Sequence, residues 1–147
     1  MAKIDIIVGS MLGGTEYVAE ACEETLQALG HTTSLHLQPN FEEISKESDI
    51  WLICTSTHGA GDYPDNFISF ATDLKNDDQD LSTLKSLIIG VGDSSYDTFC
   101  CAAKNINNLL NTKGCNNIKA PLYIDMQQDI DPEDHAQEWI SDLNDHL

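Results

Sequence analysis

Leu87-Ile88-Ile89-Gly90-Val91 runs without a break into Gly92-Asp93-Ser94-Ser95-Tyr96-Asp97-Thr98-Phe99-Cys100. The first five residues are continuously apolar rather than alternating, as expected of a parallel strand covered on both faces. The rest reads as a loop made to meet a ligand. Gly92 permits a sharp turn, and Asp93, Ser94 and Ser95 present short hydrogen-bonding groups. Tyr96 puts a flat ring where a turn would more cheaply hold Asn or Gly. A ring at the carboxyl end of a buried strand points to a planar partner.

Similar apolar runs recur on either side, with helical stretches between them, which is the pattern of an α/β domain with a parallel sheet. Five strands are predicted: Ile4 to Val8, Thr33 to Leu37, Ile50 to Cys54, Leu87 to Val91, and Ile118 to Ile124. Four helices are predicted between and after them. Tyr17, Val18, Ala21, Cys22, Thr25, Leu26 and Leu29 recur at spacings of three and four, and Gly30 stops that helix. Phe67, Phe70, Ala71 and Leu74 mark a second helix after Pro64-Asp65-Asn66, and Ala102, Ile106, Leu109 and Leu110 a third that ends at Lys113-Gly114. The last opens with an Asp131 N-cap and Pro132 at its first position, then buries Ala136, Trp139, Ile140 and Leu143. The whole chain, 1–147, reads as one domain.

With right-handed crossovers the loops after strands one, three and four emerge together at the carboxyl edge of the sheet. The first is Gly9-Ser10-Met11-Leu12-Gly13-Gly14-Thr15, placed ahead of a helix whose unpaired N–H groups and positive dipole end attract an anion such as phosphate. The second is Thr55-Ser56-Thr57-His58-Gly59-Ala60-Gly61-Asp62-Tyr63-Pro64-Asp65-Asn66, with hydroxyls, an imidazole and glycines that let a flat ligand lie on bare backbone. Taken singly, each is also compatible with an ordinary connection. The first loop lacks the lysine of a nucleoside-triphosphate loop and the G-x-G-x-x-G spacing of a dinucleotide fingerprint. Clustered aspartates at the ends of strands one and three, as a receiver domain needs, are absent. So are a cysteine and arginine in the first loop, as a small phosphatase needs, and metal-ligand spacing of His, Cys and carboxylates.

The chain carries 25 Asp+Glu against 7 Lys+Arg, a formal charge of -18. Such a surface repels nucleic acid and favours a monomer. It serves solubility, and equally it steers the protein toward a basic partner. The amino terminus has neither the basic flank nor the long apolar core of a signal peptide, and no apolar run approaches the about 18 residues of a membrane span, so a soluble, cytoplasmic protein is expected. Five cysteines, an odd number without C-x-x-C spacing, argue against a complete disulfide framework. The neighbours Cys100 and Cys101 point in different directions on a helix.

Four strings then carry a resemblance over nearly the whole chain: Leu12-Gly13-Gly14, Tyr17-Val18-Ala19-Glu20, Ser56-Thr57-His58-Gly59-Ala60-Gly61-Asp62 and Tyr96-Asp97-Thr98-Phe99-Cys100. The sequence resembles the flavodoxins, most closely the short-chain flavodoxins of the MioC type. Its third loop is also similar to the FMN domains of diflavin reductases. The resemblance implies a flavodoxin-like, doubly wound five-stranded parallel sheet of order 2-1-3-4-5, with helices on both faces and FMN at the switch point.

By the same resemblance Ser10, Met11, Leu12, Gly13, Gly14 and Thr15 form the phosphate loop, where Met11 and Leu12 depart from the usual hydroxyls. Thr55, Ser56 and Thr57 would contact the ribityl chain or phosphate. His58, where many flavodoxins place Trp or Tyr, would face the inner side of the isoalloxazine ring, covering less of it than an indole would. Gly59, with Ala60 and Gly61 beside it, would supply a carbonyl that turns to accept the flavin N5–H in the one-electron state. Asp93, Ser94, Ser95 and Tyr96 would present amides to the pyrimidine end, with Tyr96 stacked on the outer face and Phe99 and Cys100 completing the loop. Asp62, Asp65, Asp93 and Asp97 would crowd the flavin edge with negative charge.

The implied function is that of a one-electron carrier rather than an enzyme with its own substrate. It would shuttle electrons from the basic face of a flavin reductase to an acceptor redox enzyme, with a link to biotin synthesis implied by the MioC type. Met11 and His58 motivate an alternative, an acidic interaction module of flavodoxin fold that makes weak or no use of FMN. A flavin enzyme with its own substrate lacks support in so short a chain, which has no extra segment to cover a substrate.

Overall fold

The computed structural model of the chain describes residues 2–10, 14–44, 47–57, 61–78, 80–93, 100–128 and 131–142. Apolar segments form β1 (Lys3–Gly9) and the parallel strands β3 (Ile50–Ser56) and β4 (Lys85–Gly92), and the more polar Thr-Thr-Ser-Leu-His segment forms the parallel edge strand β2 (Thr32–His36). β1 pairs with β2 on one side and β3 on the other, and β3 pairs with β4, so the order runs β2-β1-β3-β4 before reaching the fifth lane. Chain direction across the sheet reverses between β1 and β3, and that is the switch point.

The fifth lane differs from the single strand predicted over Ile118 to Ile124. It is divided into β5 (Asn116–Asn117), paired with the start of β4, and β6 (Leu122–Asp125), paired with its end. Asn117 is opposite Ser86 and Leu122 opposite Ile89, so this lane carries two extra residues between the paired positions. Pro121 accounts for the interruption, because it has no N–H to donate to the ladder. The order 2-1-3-4-5 stands, with two short strands sharing the last place.

Alternation along the strands sorts the core into two layers. Ile4, Ile6, Val8, Leu52 and Cys54 face α1 (Gly14–Ala28) and α4 (Pro132–Ser141). Ile7, Trp51, Ile53 and Ile88 face α2 (Asp65–Asn76) and α3 (Cys101–Thr112). In α1 the buried stripe is Val18, Ala19, Cys22 and Leu26, whereas Tyr17 and Leu29 are 62% and 40% exposed. The predicted stripe was wider than the face that the sheet covers. At α4 the Asp131 carboxylate accepts from the N–H groups of Glu133 and Asp134, and Ala136, Trp139 and Ile140 are buried as expected, while Leu143 lies outside the described residues.

On the α2 side the rings of Tyr63, Phe67, Phe70 and Trp51 follow one another at centroid distances of 5.5, 5.2 and 5.8 Å. This tilted aromatic row ties the start of α2 to the centre of the sheet. Against β4, α3 approaches so closely that a Cβ on Gly90 would lie 2.7 Å from the Ala103 Cβ.

Among the described residues one carboxylate is buried in this layer. Asp5, 3% exposed, lies 2.9 Å from His36 Nε2 through Oδ1 and accepts the Ser48 hydroxyl at Oδ2. Burial by itself raises its pKa, but the hydrogen bonds from His36 and Ser48 and the charges of His36 and Lys3 outweigh that, and the carboxyl is held below its ordinary value. A carboxyl depressed in the folded state contributes stability above its unfolded pKa of about 3.9 and loses it as pH falls through the lower folded value. Asp5→Asn is therefore expected to be less stable than the parent in urea at pH 7. The gap should shrink as pH is lowered below about 4.

Candidate functional site

The carboxyl ends of β1, β3 and β4 lie side by side. Gly9 is paired with Thr55, and Ser56 with Val91. Ser56 Oγ donates to the Gly9 carbonyl at 3.5 Å, so the first two loops leave the sheet in contact. Gly61, in the second loop, has φ 106°, a conformation that favours glycine. The third loop leaves β4 beside the end of β6. Met126 N–H donates to the Gly92 carbonyl at 2.7 Å, and the Gln127 side chain donates to Asp93 Oδ2 at 2.8 Å.

Of the predicted site residues, Ser10, Gly14, Thr15, Thr55, Ser56, Thr57, Gly61, Asp93 and Cys100 are described. All of them lie at this edge. Met11, Leu12, Gly13, His58, Gly59, Ala60, Ser94, Ser95, Tyr96 and Phe99 lie outside the described residues, as does Asp97. Gly14 opens α1 and is exposed, and a Cβ there would meet nothing within 4 Å; Thr15 next to it is buried. The first-turn N–H groups of this helix have no intrahelical acceptors. Amides and hydroxyls of this kind suit a phosphate ester, with the helix dipole assisting.

The threonines are used differently from one another. Thr55 is 1% exposed and its hydroxyl donates to the Ser56 carbonyl at 2.9 Å. Thr57 Oγ1 accepts the Ala102 N–H at 3.1 Å, in the first turn of α3. The N-cap position of that helix belongs to Cys100, which has left-handed backbone, φ 54°, and makes no side-chain cap. Thr57 supplies the missing acceptor from another strand.

All five cysteines are free. Burial pushes the Cys100 thiol up to about 12, only partly opposed by the Lys104 charge. Cys54 is also raised, first by its hydrogen bond with Cys22 and then by burial. Neither thiol is activated as a nucleophile.

Sequence reading missed two residues that organise the site. Gln127 holds Asp93, and Asn66, in the first turn of α2, accepts the Ser10 N–H at Oδ1 over 2.9 Å. In the sequence Asn66 signals only the end of the second loop and a helix start after Pro64, and nothing around Gln127 points to Asp93.

Charged groups stand at both ends of the sheet. Glu16, Asp62, Asp65, Asp93 and Asp125 stand at or near the carboxyl edge. Lys3 and Lys85 begin β1 and β4, Lys75 is in the last turn of α2, and Lys113 follows α3, at the opposite edge, where Asp49, Asp77 and Asp80 lie among them, so both edges carry acids. Lys104, in the first turn of α3, sits 5.4 Å from the Tyr123 ring centroid. Among the described residues, no helix is long and apolar enough to cross a membrane.

This arrangement, a doubly wound sheet with an anion-suited helix start at its switch point, is shared with known proteins. Residues 6–139 match the family described as Flavodoxin. The chain belongs to the flavodoxin family, whose members are FMN-dependent electron-transfer proteins rather than substrate-converting enzymes. Within that family it is similar to the protein MioC of Escherichia coli strain K12, with 42% identity over 140 residues that cover 95% of each chain. It is equally similar to a MioC homolog of Haemophilus influenzae, 42% identical over 137 residues and 93% of each chain. These relatives make it a short-chain flavodoxin of the MioC type. Among solved structures, a C101S mutant of flavodoxin from Pseudomonas aeruginosa superposes with a TM-score of 0.92 at 28% identity, covering 99% of this chain and 98% of that one.

Thr57→Ala is expected to lower the unfolding free energy by about 0.5–2 kcal/mol, the usual cost of losing an N-cap acceptor. Thr57→Ser, which keeps the oxygen, should retain most of it. Chemical denaturation of the two variants checks this.

Proposed function

We propose that this flavodoxin carries electrons from a flavin reductase to an acceptor redox enzyme, presenting its acidic carboxyl edge to a basic face of each. FMN, when bound, takes up and releases electrons one at a time. The observation that carries the reading is the convergence of the three loops at the switch point with carboxylates around them. The MioC resemblance implies biotin synthesis as a destination of those electrons.

In this reading the first-turn N–H groups of α1 and the hydroxyls of Ser10 and Thr15 hold the phosphate, together with the backbone of Met11 to Gly13. Ser56 and Thr57 form the wall beside the ribityl chain, with Thr57 also fixing the start of α3 and the buried Thr55 packing beneath them. His58 and Tyr96 cover the two ring faces, and Asp93 to Ser95 hold the ring edge. Gly59 provides the mobile carbonyl, a motion that the absence of a side chain makes cheap. Phe99 and Cys100 close the third loop against the sheet. Each nearby carboxylate disfavours added negative charge on the ring, which holds the potential down. The same carboxylates speed encounter with a basic partner.

Apo-protein titrated with FMN is expected to give a yellow one-to-one complex, and absence of binding at micromolar concentrations would count against the reading. Electron uptake from a flavin reductase should slow steeply as ionic strength rises from about 0.01 M to about 1 M, where the screening length shrinks about tenfold. An unchanged rate would remove the basic-face partner. Asp62→Asn is expected to raise the FMN reduction potential by roughly 20 mV, the effect of one charge at about 10 Å in a water-like medium. Redox titration of parent and variant measures it.

A further inference from the structure

Asn66 makes three hydrogen bonds to backbone groups that are distant from one another in sequence. Its Oδ1 accepts from the Ser10 N–H at 2.9 Å. Its Nδ2 donates to the Val8 carbonyl at 3.0 Å, near the end of β1, and to the Leu37 carbonyl at 2.9 Å, just past β2. The amide therefore uses its acceptor and both donors on the main chain around the entry to the phosphate loop. No hydroxyl or carboxylate offers that combination: a hydroxyl has one proton to give and an ionised carboxylate has none.

The side chain reaches this position because the chain leaves no space between α2 and β1. A Cβ on Gly9 would lie 3.1 Å from Phe67 Cβ and Cγ and 2.5 Å from Thr55 Oγ1. Phe67 follows Asn66 in the same helix turn and is completely buried. The packing of Phe67 on Gly9 sets the height of α2, and Asn66 then spans the ends of β1 and β2. Ser10, the first residue beyond β1, is 9% exposed with its N–H directed at Asn66. Asn66 thereby fixes the backbone at the point where the chain leaves β1.

We infer that Asn66 is a positioning residue for the phosphate end of the cofactor, fixing Ser10 where the chain leaves β1 before FMN arrives and so setting the preference for FMN over riboflavin. The inference rests on the FMN-carrier reading. It assigns to the first turn of α2, where the second loop ends, control over which form of the flavin is bound. Loss of Asn66 leaves the ring-binding loops after β3 and β4 in place and frees the phosphate end. Its effect must then appear selectively in the ligand that carries a phosphate.

The test compares FMN with riboflavin, which differ by that group alone. In fluorescence titrations Asn66→Ala is expected to weaken FMN binding at least about tenfold while riboflavin binding changes less than about threefold, a loss of selectivity with the apo-protein still folded by circular dichroism. Equal weakening of both ligands, or no weakening of FMN, would overturn the proposal. Should the alanine variant not fold, amide exchange in the unmutated protein decides: the Ser10 amide is expected to be protected already in the apo-protein and to stay so with FMN. Protection that arises only on FMN binding would overturn it. If the unmutated protein bound neither flavin, the carrier reading itself would fail and the proposal with it, an outcome distinct from both of these.

Discussion

At the end of β1 the backbone of Gly9 is pressed between Thr55 of β3 and Phe67 of α2, with 2.5 and 3.1 Å left where a side chain would begin. Much of the site follows from that contact. Because Gly9 has no side chain, β3 pairs with β1 to its last residue, Ser56 reaches the Gly9 carbonyl, and the first two loops leave the sheet together. Because Phe67 lies on Gly9, the start of α2 comes level with the ends of β1 and β2, within reach of Asn66. A methyl group at Gly9 would push on a hydroxyl in a packed layer and on an aromatic ring with no room to retreat.

The remaining supports are also tertiary. Thr57 caps α3 from the end of β3, because the residue at the cap position, Cys100, turns the chain with left-handed backbone and caps nothing. Gln127 and Met126, beyond β6, hold the start of the third loop. Each loop is thus anchored where it leaves the sheet by a residue from a different element. A flavin carrier benefits from such rigidity, since electron transfer is favoured when the cofactor and its surroundings reorganise little. The acids at the carboxyl edge, Asp62, Asp65, Asp93 and Asp125 among them, stand around these anchored loop exits.

The central strands β1, β3 and β4 could be read from the sequence because each is a short apolar run bounded by turn residues, and a parallel sheet buried on both faces leaves no other use for them. Errors fell where a local pattern lacked information about its neighbours. The fifth strand read as continuous because Ile118, Leu122 and Ile124 are apolar, but Pro121 breaks the ladder and the lane is filled by two pieces. Leu37 was placed in β2, yet its carbonyl goes to Asn66 rather than to the sheet. Tyr17 has helical spacing with the core residues of α1 and still faces solvent, because the sheet covers only a narrow stripe.

Local chemistry was enough to propose a ligand end of the molecule. Glycines, hydroxyls and an odd aromatic at three strand ends can be seen without coordinates, since crossover handedness brings those ends to one edge. The work of Asn66, Thr57 and Gln127 became visible only in three dimensions. Their partners are 29 to 58, 45 and 34 residues away. A hydrogen bond across such separations leaves no periodicity or motif in the chain, because it depends on how closely two layers pack, and here a missing side chain at Gly9 sets that closeness.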